Sequence, residues 1–177
     1  MVDFIKLIQT RAFARQDGAI LGAVWIASFA FTMWSVQPEH AFWGLLANIL
    51  VISTPFVVAI RLKSFRDYAL DGVISFRRSL LYCIQTFFYA TLLLTTVQYL
   101  WFRFLNAVPF MNQLMETYRA MLQASNMPEG EINTVLDSFG MMTPIAWASA
   151  FMVTDLIIGA FLSPFIAALM SRRVKKQ

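Results

Sequence analysis

The stretch PIAWASAFMVTDLIIGAFLSPFIAALM, residues 144–170, carries a single charged side chain, Asp155. About 20 helical residues are enough to cross the roughly 30 Å of hydrocarbon in a bilayer. A segment surrounded by lipid must pair its backbone N–H and C=O groups internally, and a helix does so. The stretch therefore predicts a transmembrane helix.

Three further stretches, residues 19–36, 41–60 and 80–105, are also long and apolar enough to be spans. The chain as a whole is 59% hydrophobic and 14% charged, whereas soluble domains carry about 25% charged residues. None of the stretches shows the alternation of a membrane β-strand. We predict one all-α integral membrane domain, residues 1–177, with four transmembrane helices, a connection at 61–79 and a loop at 106–143. The dipeptide Asp71-Gly72 predicts a turn within the connection.

The positions of lysine and arginine predict the orientation of the four spans. Of the 14 basic residues, all but Arg103 and Arg119 lie before residue 19, within 61–79 or after residue 170. Basic residues accumulate on the cytoplasmic side of membrane proteins, so both termini and the 61–79 connection are expected inside. The same residues predict contact with anionic lipid headgroups rather than with nucleic acid.

The N-terminal segment and the 106–143 loop both show apolar residues at helical spacing. In the N-terminal segment these are Phe4, Ile5, Ile8, Ala12 and Phe13. The pattern predicts an amphipathic helix lying in the membrane interface. In the loop they are Met111, Leu114, Met115, Tyr118, Met121 and Leu122, then Ile132, Val135, Leu136 and Phe139. We predict an extracytoplasmic helical hairpin there, with Asn126 as the N-cap of its second helix and Glu129 at the third position.

The carboxyl group of Asp155 is expected near the bilayer midplane, where an acid is costly and faces the bundle interior. Four residues at intervals of four, namely Asp155, Gly159, Ser163 and Ala167, form a stripe suited to close helix packing. Polar side chains at similar depth on neighbouring spans are Asn48, Ser53, Thr54, Thr91, Thr95 and Gln98.

Two interpretations of Asp155 compete. In the structural one, which the sequence favours, a protonated Asp155 donates into a hydrogen-bonded layer. In the functional one it carries a proton or binds a cation or substrate. A polar cavity that reaches Asp155 would support the functional interpretation, and a dry bundle would support the structural one.

Gly18 and Gly22 form a GxxxG pattern, which brings helices together inside a bundle or between two chains. In a compact four-helix bundle the internal contact is the expected one.

Motifs of soluble enzymes and of metal sites do not occur in the sequence. With one cysteine, Cys83, and one histidine, His40, multi-cysteine and multi-histidine metal sites are impossible. The sequence has no GxGxxG, P-loop or GxSxG motif. The loop is rich in methionine, which can bind copper(I), but adaptable apolar packing explains methionine at helical spacing. We expect no catalytic residues, no metal and no cofactor.

Several short motifs resemble those of a known family. They are Asp17-Gly18 before the first span, Thr54-Pro55 within the second, GVISFRR at residues 72–78, and the long loop after the third span. Together they resemble a family of small Bacteroidota membrane proteins catalogued as domain of unknown function 4199. The resemblance implies a multi-pass protein of a bacterial inner membrane with this helix order. It implies no role for any residue.

The sequence leaves three functional classes open. The first is a non-enzymatic accessory or scaffold protein that contacts itself or another membrane protein through its small-residue stripes and its methionine-rich outer hairpin. The alternative is a small oligomeric transporter or lipid-handling protein that uses Asp155. A membrane enzyme comes third, because no acid and base are paired within the spans.

Overall fold

A computed structural model describes residues 4–105 and 107–171 of the chain. Over these residues the chain is helical, with a short 3-10 turn at Pro38–His40. The helices are α1 (Phe4–Ser35), α2 (Phe42–Ala69), α3 (Phe76–Phe104), α4 (Val108–Ala124), α5 (Glu129–Gly140) and α6 (Pro144–Met170). Asn106, the first residue of the predicted loop, and the basic tail residues Arg172, Arg173, Lys175 and Lys176 lie outside the described residues.

Four helices, α1, α2, α3 and α6, are long and apolar enough to cross a membrane, which confirms the predicted number of spans. The α3 helix lies at the centre of the bundle and packs extensively on both α1 and α6. The α2 helix packs mainly on α1 and touches α6 only sparsely. The bundle is therefore tight around α3 and loose along the seam between α2 and α6.

The N-terminal segment is helical, as predicted, but it is not a separate helix in the interface plane. It forms the first turns of α1, which starts at Phe4 and continues without a break to Ser35. The apolar residues Phe4, Ile5 and Ile8 are 73%, 78% and 66% exposed, whereas Thr10 is fully buried. The reason is tertiary, because Arg78 on α3 donates a hydrogen bond to Thr10 Oγ1 at 2.9 Å and so holds the polar face against the bundle.

The 61–79 connection is mostly helical, since α2 continues to Ala69 and α3 begins at Phe76. Between them the chain turns at Asp71 and Gly72, whose φ angles of 50° and 78° are in the left-handed region. The turn predicted at this dipeptide is confirmed. Ser75 then caps α3 by accepting a hydrogen bond from the backbone N–H of Arg78.

The 106–143 region contains α4 and α5, which pack against each other through Tyr118 and Phe139, with ring centroids 5.2 Å apart. The N-cap predicted at Asn126 is wrong, because α5 starts at Glu129 with Pro128 as its N-cap. Asn126 instead has a φ of 58°, the left-handed conformation in which asparagine often ends a helix.

Both helices of this region also pack on one end of the bundle. The ring centroids of Phe110 of α4 and Phe102 of α3 lie 6.2 Å apart. Those of Phe139 of α5 and Trp147 of α6 lie 5.7 Å apart. Met111 and Met115 pack against the same aromatic cluster. The α4–α5 pair therefore covers the end of the bundle at which α3 ends and α6 begins.

Candidate functional site

A cavity of about 430 Å³ lies between α1, α2, α3 and α6, in the interior of the bundle. Ligand pockets in proteins typically have volumes of about 300–1,000 Å³, mostly apolar walls and a few convergent polar groups. The wall of this cavity has that composition. Its side chains with polar atoms are Trp25, Ser28, Thr32, Thr54, Gln98 and Asp155.

The cavity lies along the loose seam between α2 and α6. Val51 and Ile52 on α2 and Ile158 on α6 belong to its wall, yet they are 55%, 68% and 48% exposed. Pro55 of α2, also on the wall, has no backbone N–H and cannot complete the helical hydrogen-bond ladder. The cavity thus has an apolar mouth on the lateral surface of the bundle.

Asp155 Oδ2 is sealed from solvent and has no hydrogen-bond partner among the described residues. The same holds for Gln98 Oε1 on α3. An unpaired buried polar atom lowers the free energy of unfolding by about 1–3 kcal/mol, so these two side chains of one cavity wall destabilise the fold. Neither atom is exposed on the cavity surface, so a ligand in the cavity pairs with them only after the two side chains rotate.

The donors on the cavity wall, in contrast, are largely occupied. The Trp25 Nε1–H donates to Thr54 Oγ1 at 2.9 Å. The Ser28 hydroxyl donates to the carbonyl of Ala47 at 3.0 Å, and the Thr32 hydroxyl donates to the carbonyl of Ser28 at 3.0 Å. The oxygen atoms of these two hydroxyls keep lone pairs that can accept a hydrogen bond.

The structure brings only part of the predicted polar layer to the cavity. Gln98 and Thr54 line it together with Asp155. Ser53 donates to the carbonyl of Leu50 within its own helix, at 2.7 Å. Asn48 is exposed, and Thr95 has an unpartnered buried hydroxyl but is not part of the cavity wall.

The small-residue stripes lie inside the bundle. A Cβ added at Gly18 would come within 2.7 Å of Tyr89 Cβ, and one added at Gly159 would come within 2.7 Å of Phe87 Cβ. Gly22 faces Leu93 of the same helix, α3. Ser163 and Ala167 are fully buried. These residues let α1 and α6 approach α3 closely.

Sequence reasoning missed an ion pair at the middle of α1, formed by a buried acid. Asp17, 1% exposed, accepts hydrogen bonds from Arg61 Nε at 2.6 Å and from the hydroxyl of Tyr82. The group connects α1, α2 and α3. Its two charged residues stand just outside the predicted spans, where each looks like an ordinary boundary residue. An acid and an arginine at the same boundary of two antiparallel neighbours was the available signal.

Comparison with known proteins gives a family but no characterised relative. Neither a curated protein nor a solved structure matches the chain. The family described as "Protein of unknown function (DUF4199)" matches residues 16–172, a range that includes most of α1, all of α2, α3 and α6, the cavity and the Asp17 ion pair. The chain therefore belongs to the DUF4199 family.

Proposed function

We propose that this protein is a multi-pass protein of a bacterial inner membrane that binds a small amphiphilic molecule in the cavity beside Asp155, as a small transporter or lipid-handling protein does. The observation that carries the proposal is the cavity itself, which reaches the unpaired carboxyl group of Asp155. The lateral mouth between α2 and α6 supports entry of the molecule from the surrounding lipid.

The scaffold interpretation has less support. It relied on the small-residue stripes and the methionine-rich hairpin as contact surfaces for a partner. Gly18, Gly22 and Gly159 are occupied by contacts within the chain, and Met111 and Met115 pack on the bundle. The proposal includes no catalytic step, because Asp155 is the one titratable residue on the cavity wall within the part of the chain that the structure describes. General acid–base chemistry would need a second group there.

To test binding, the purified protein in detergent would be equilibrated with dodecanol, an uncharged amphiphile, and examined by native mass spectrometry. We expect saturable binding of one molecule per chain. Ile158→Trp places a larger side chain on the wall and reduces the volume of the cavity, so it should weaken binding by at least about tenfold. Ile157→Trp is the control, because Ile157 is 64% exposed and is not part of the wall. Equal binding by both variants, or no saturable binding by the parent protein, would contradict the proposal.

We further propose that both termini face the cytoplasm and that this end of the bundle contacts anionic headgroups. Hydrogen bonds from Arg78 to Gln9 and Thr10 bring the start of α1 beside the turn between α2 and α3. Basic residues from both regions therefore gather at one end of the bundle. Those whose side chains are exposed include Arg11, Arg15, Lys63 and Arg77.

Cysteine accessibility tests this orientation. In spheroplasts, a membrane-impermeant thiol reagent should label Asn112→Cys on α4 and Ser138→Cys on α5, and it should not label Val73→Cys in the turn between α2 and α3. All three positions are exposed, and the native Cys83 is fully buried, so it should stay silent. Permeabilised cells supply the control, because Val73→Cys should then react. Labelling of Val73→Cys alone in intact spheroplasts would reverse the proposed orientation.

A further inference from the structure

We propose that the cavity is selective for a cationic amphiphile, whose ammonium group pairs with Asp155 and Gln98 while its hydrocarbon chain lies along the apolar wall towards the mouth. This inference rests on the binding function proposed above and names the chemical class of the ligand.

The first argument is charge. Among the described residues of the cavity wall Asp155 is the one that titrates, so no Lys, Arg or His there balances its carboxylate. Arg61 already has a carboxylate partner, because it binds Asp17 at 2.5 Å. A carboxylate inside a membrane bundle normally pairs with a cation, since an unpaired ion in low dielectric is costly. An ammonium ligand supplies the missing charge.

The second argument is the balance of donors and acceptors. Among the described residues Asp155 Oδ2 and Gln98 Oε1 lack partners, and both are acceptors. The Trp25 N–H and the hydrogens of Ser28 and Thr32 are engaged elsewhere, so the Gln98 amide and the Thr54 hydroxyl are the donors that remain on the described wall. An ammonium group has three donors and no acceptor, so it matches this wall. A carboxylate ligand would bring like charge to Asp155.

The third argument is the shape and chemistry of the remaining wall. The rings of Trp25 and Phe29 line the cavity, and aromatic faces attract an ammonium group placed within about 6 Å of the ring centre. Leu94, Ile158 and Leu162 supply apolar surface for a chain. Because Ile158 is half exposed at the mouth, the distal part of a long chain can remain in the bilayer.

The test compares three probes of equal chain length, dodecylamine, dodecanol and dodecanoate, by competition for the parent protein in native mass spectrometry. We expect the amine to bind at least about tenfold more tightly than the alcohol, and dodecanoate to bind most weakly. Ile158→Trp controls for partition of the amine into the detergent, and it should weaken binding of both amine and alcohol. Equal affinities for amine and alcohol would overturn the selectivity and leave the binding function in place. Saturable binding of none of the three would overturn both.

Asp155→Asn assigns the selectivity to a residue. The amide keeps the size of the carboxyl group and removes its charge, so the ratio of the amine affinity to the dodecanol affinity should fall to about one. Asp137→Asn is the matched control, because Asp137 is an exposed acid on α5 and its loss should leave the preference intact. A preference that survives Asp155→Asn would overturn the assignment. If Asp155→Asn does not fold, the order of the three probes on the parent protein still decides the inference.

Discussion

Replacing Arg61 by methionine should lower the free energy of unfolding by about 3 kcal/mol, at the lower end of the range for breaking a buried ion pair. In the variant the carboxylate of Asp17, which is 1% exposed, loses its charged partner and keeps the hydrogen bond from the Tyr82 hydroxyl. Burial prevents water from replacing the guanidinium group. Unfolding by sodium dodecyl sulfate in mixed micelles, followed by circular dichroism, measures the change.

The partner substitution should cost less. In Asp17→Asn the buried site becomes neutral, and Arg61, whose side chain is 33% exposed, can extend towards headgroups. The double variant should therefore be more stable than the sum of the two single losses implies, with a coupling energy of about 0.5–3 kcal/mol. Arg77→Met is the control, since Arg77 is exposed on α3. If Arg61→Met were as stable as Arg77→Met, the ion pair would contribute nothing to the fold.

Gly18→Ala should destabilise the protein by about 1–3 kcal/mol, the usual cost of overpacking a tight contact. The added Cβ would lie 2.7 Å from Tyr89 Cβ and 2.8 Å from the carbonyl oxygen of Thr86. The second of these atoms belongs to the backbone of α3, so the methyl group can be accommodated only if α1 and α3 move apart. Gly22→Ala should cost less, because its nearest contact is the terminal methyl of Leu93 at 3.1 Å.

Gly140→Ala separates this steric effect from the general effect of replacing a helical glycine. No heavy atom lies within 4 Å of a Cβ built at Gly140. The substitution should be neutral or stabilising by up to about 1 kcal/mol, the difference in helix propensity between alanine and glycine. The same unfolding titration compares the three variants. Equal stability of Gly18→Ala and Gly140→Ala would refute the close approach of α1 to α3.

Local patterns predicted much of the secondary structure. The turn at Asp71-Gly72 and the helical character of residues 108–140 follow from residues close together in sequence. Helix boundaries were less well predicted. The α1 helix starts 15 residues before the predicted span, since Phe4 rather than Ala19 is its first residue. The sequence of its first turns is typical of an amphipathic interfacial helix. The hydrogen bond between Arg78 and Thr10 shows that these turns pack on the bundle.

The sequence predicts the candidate site in part, since Asp155, Thr54 and Gln98 all line the cavity. Asp155 stands out in sequence because a charged side chain interrupts an apolar stretch. Trp25, Ser28 and Thr32 do not stand out, since tryptophan, serine and threonine are ordinary residues in membrane helices. Their role at the cavity depends on where α1 passes α2, which no local pattern records. For the same reason the sequence also predicts Asn48 and Ser53 in the polar layer, although neither residue lines the cavity.

Four helices long and apolar enough to span a membrane can be recognised from each segment alone, because a stretch surrounded by lipid must satisfy its backbone hydrogen bonds within itself. What those helices enclose depends on the tertiary contacts between them. Gly18 and Gly159 let α1 and α6 close onto α3, while α2 and α6 stay apart. The pairing of Asp17 with Arg61 and the isolation of Asp155 both follow from these distances between helices. Such distances depend on side chains far apart in the sequence, so the pattern of a single segment does not contain them.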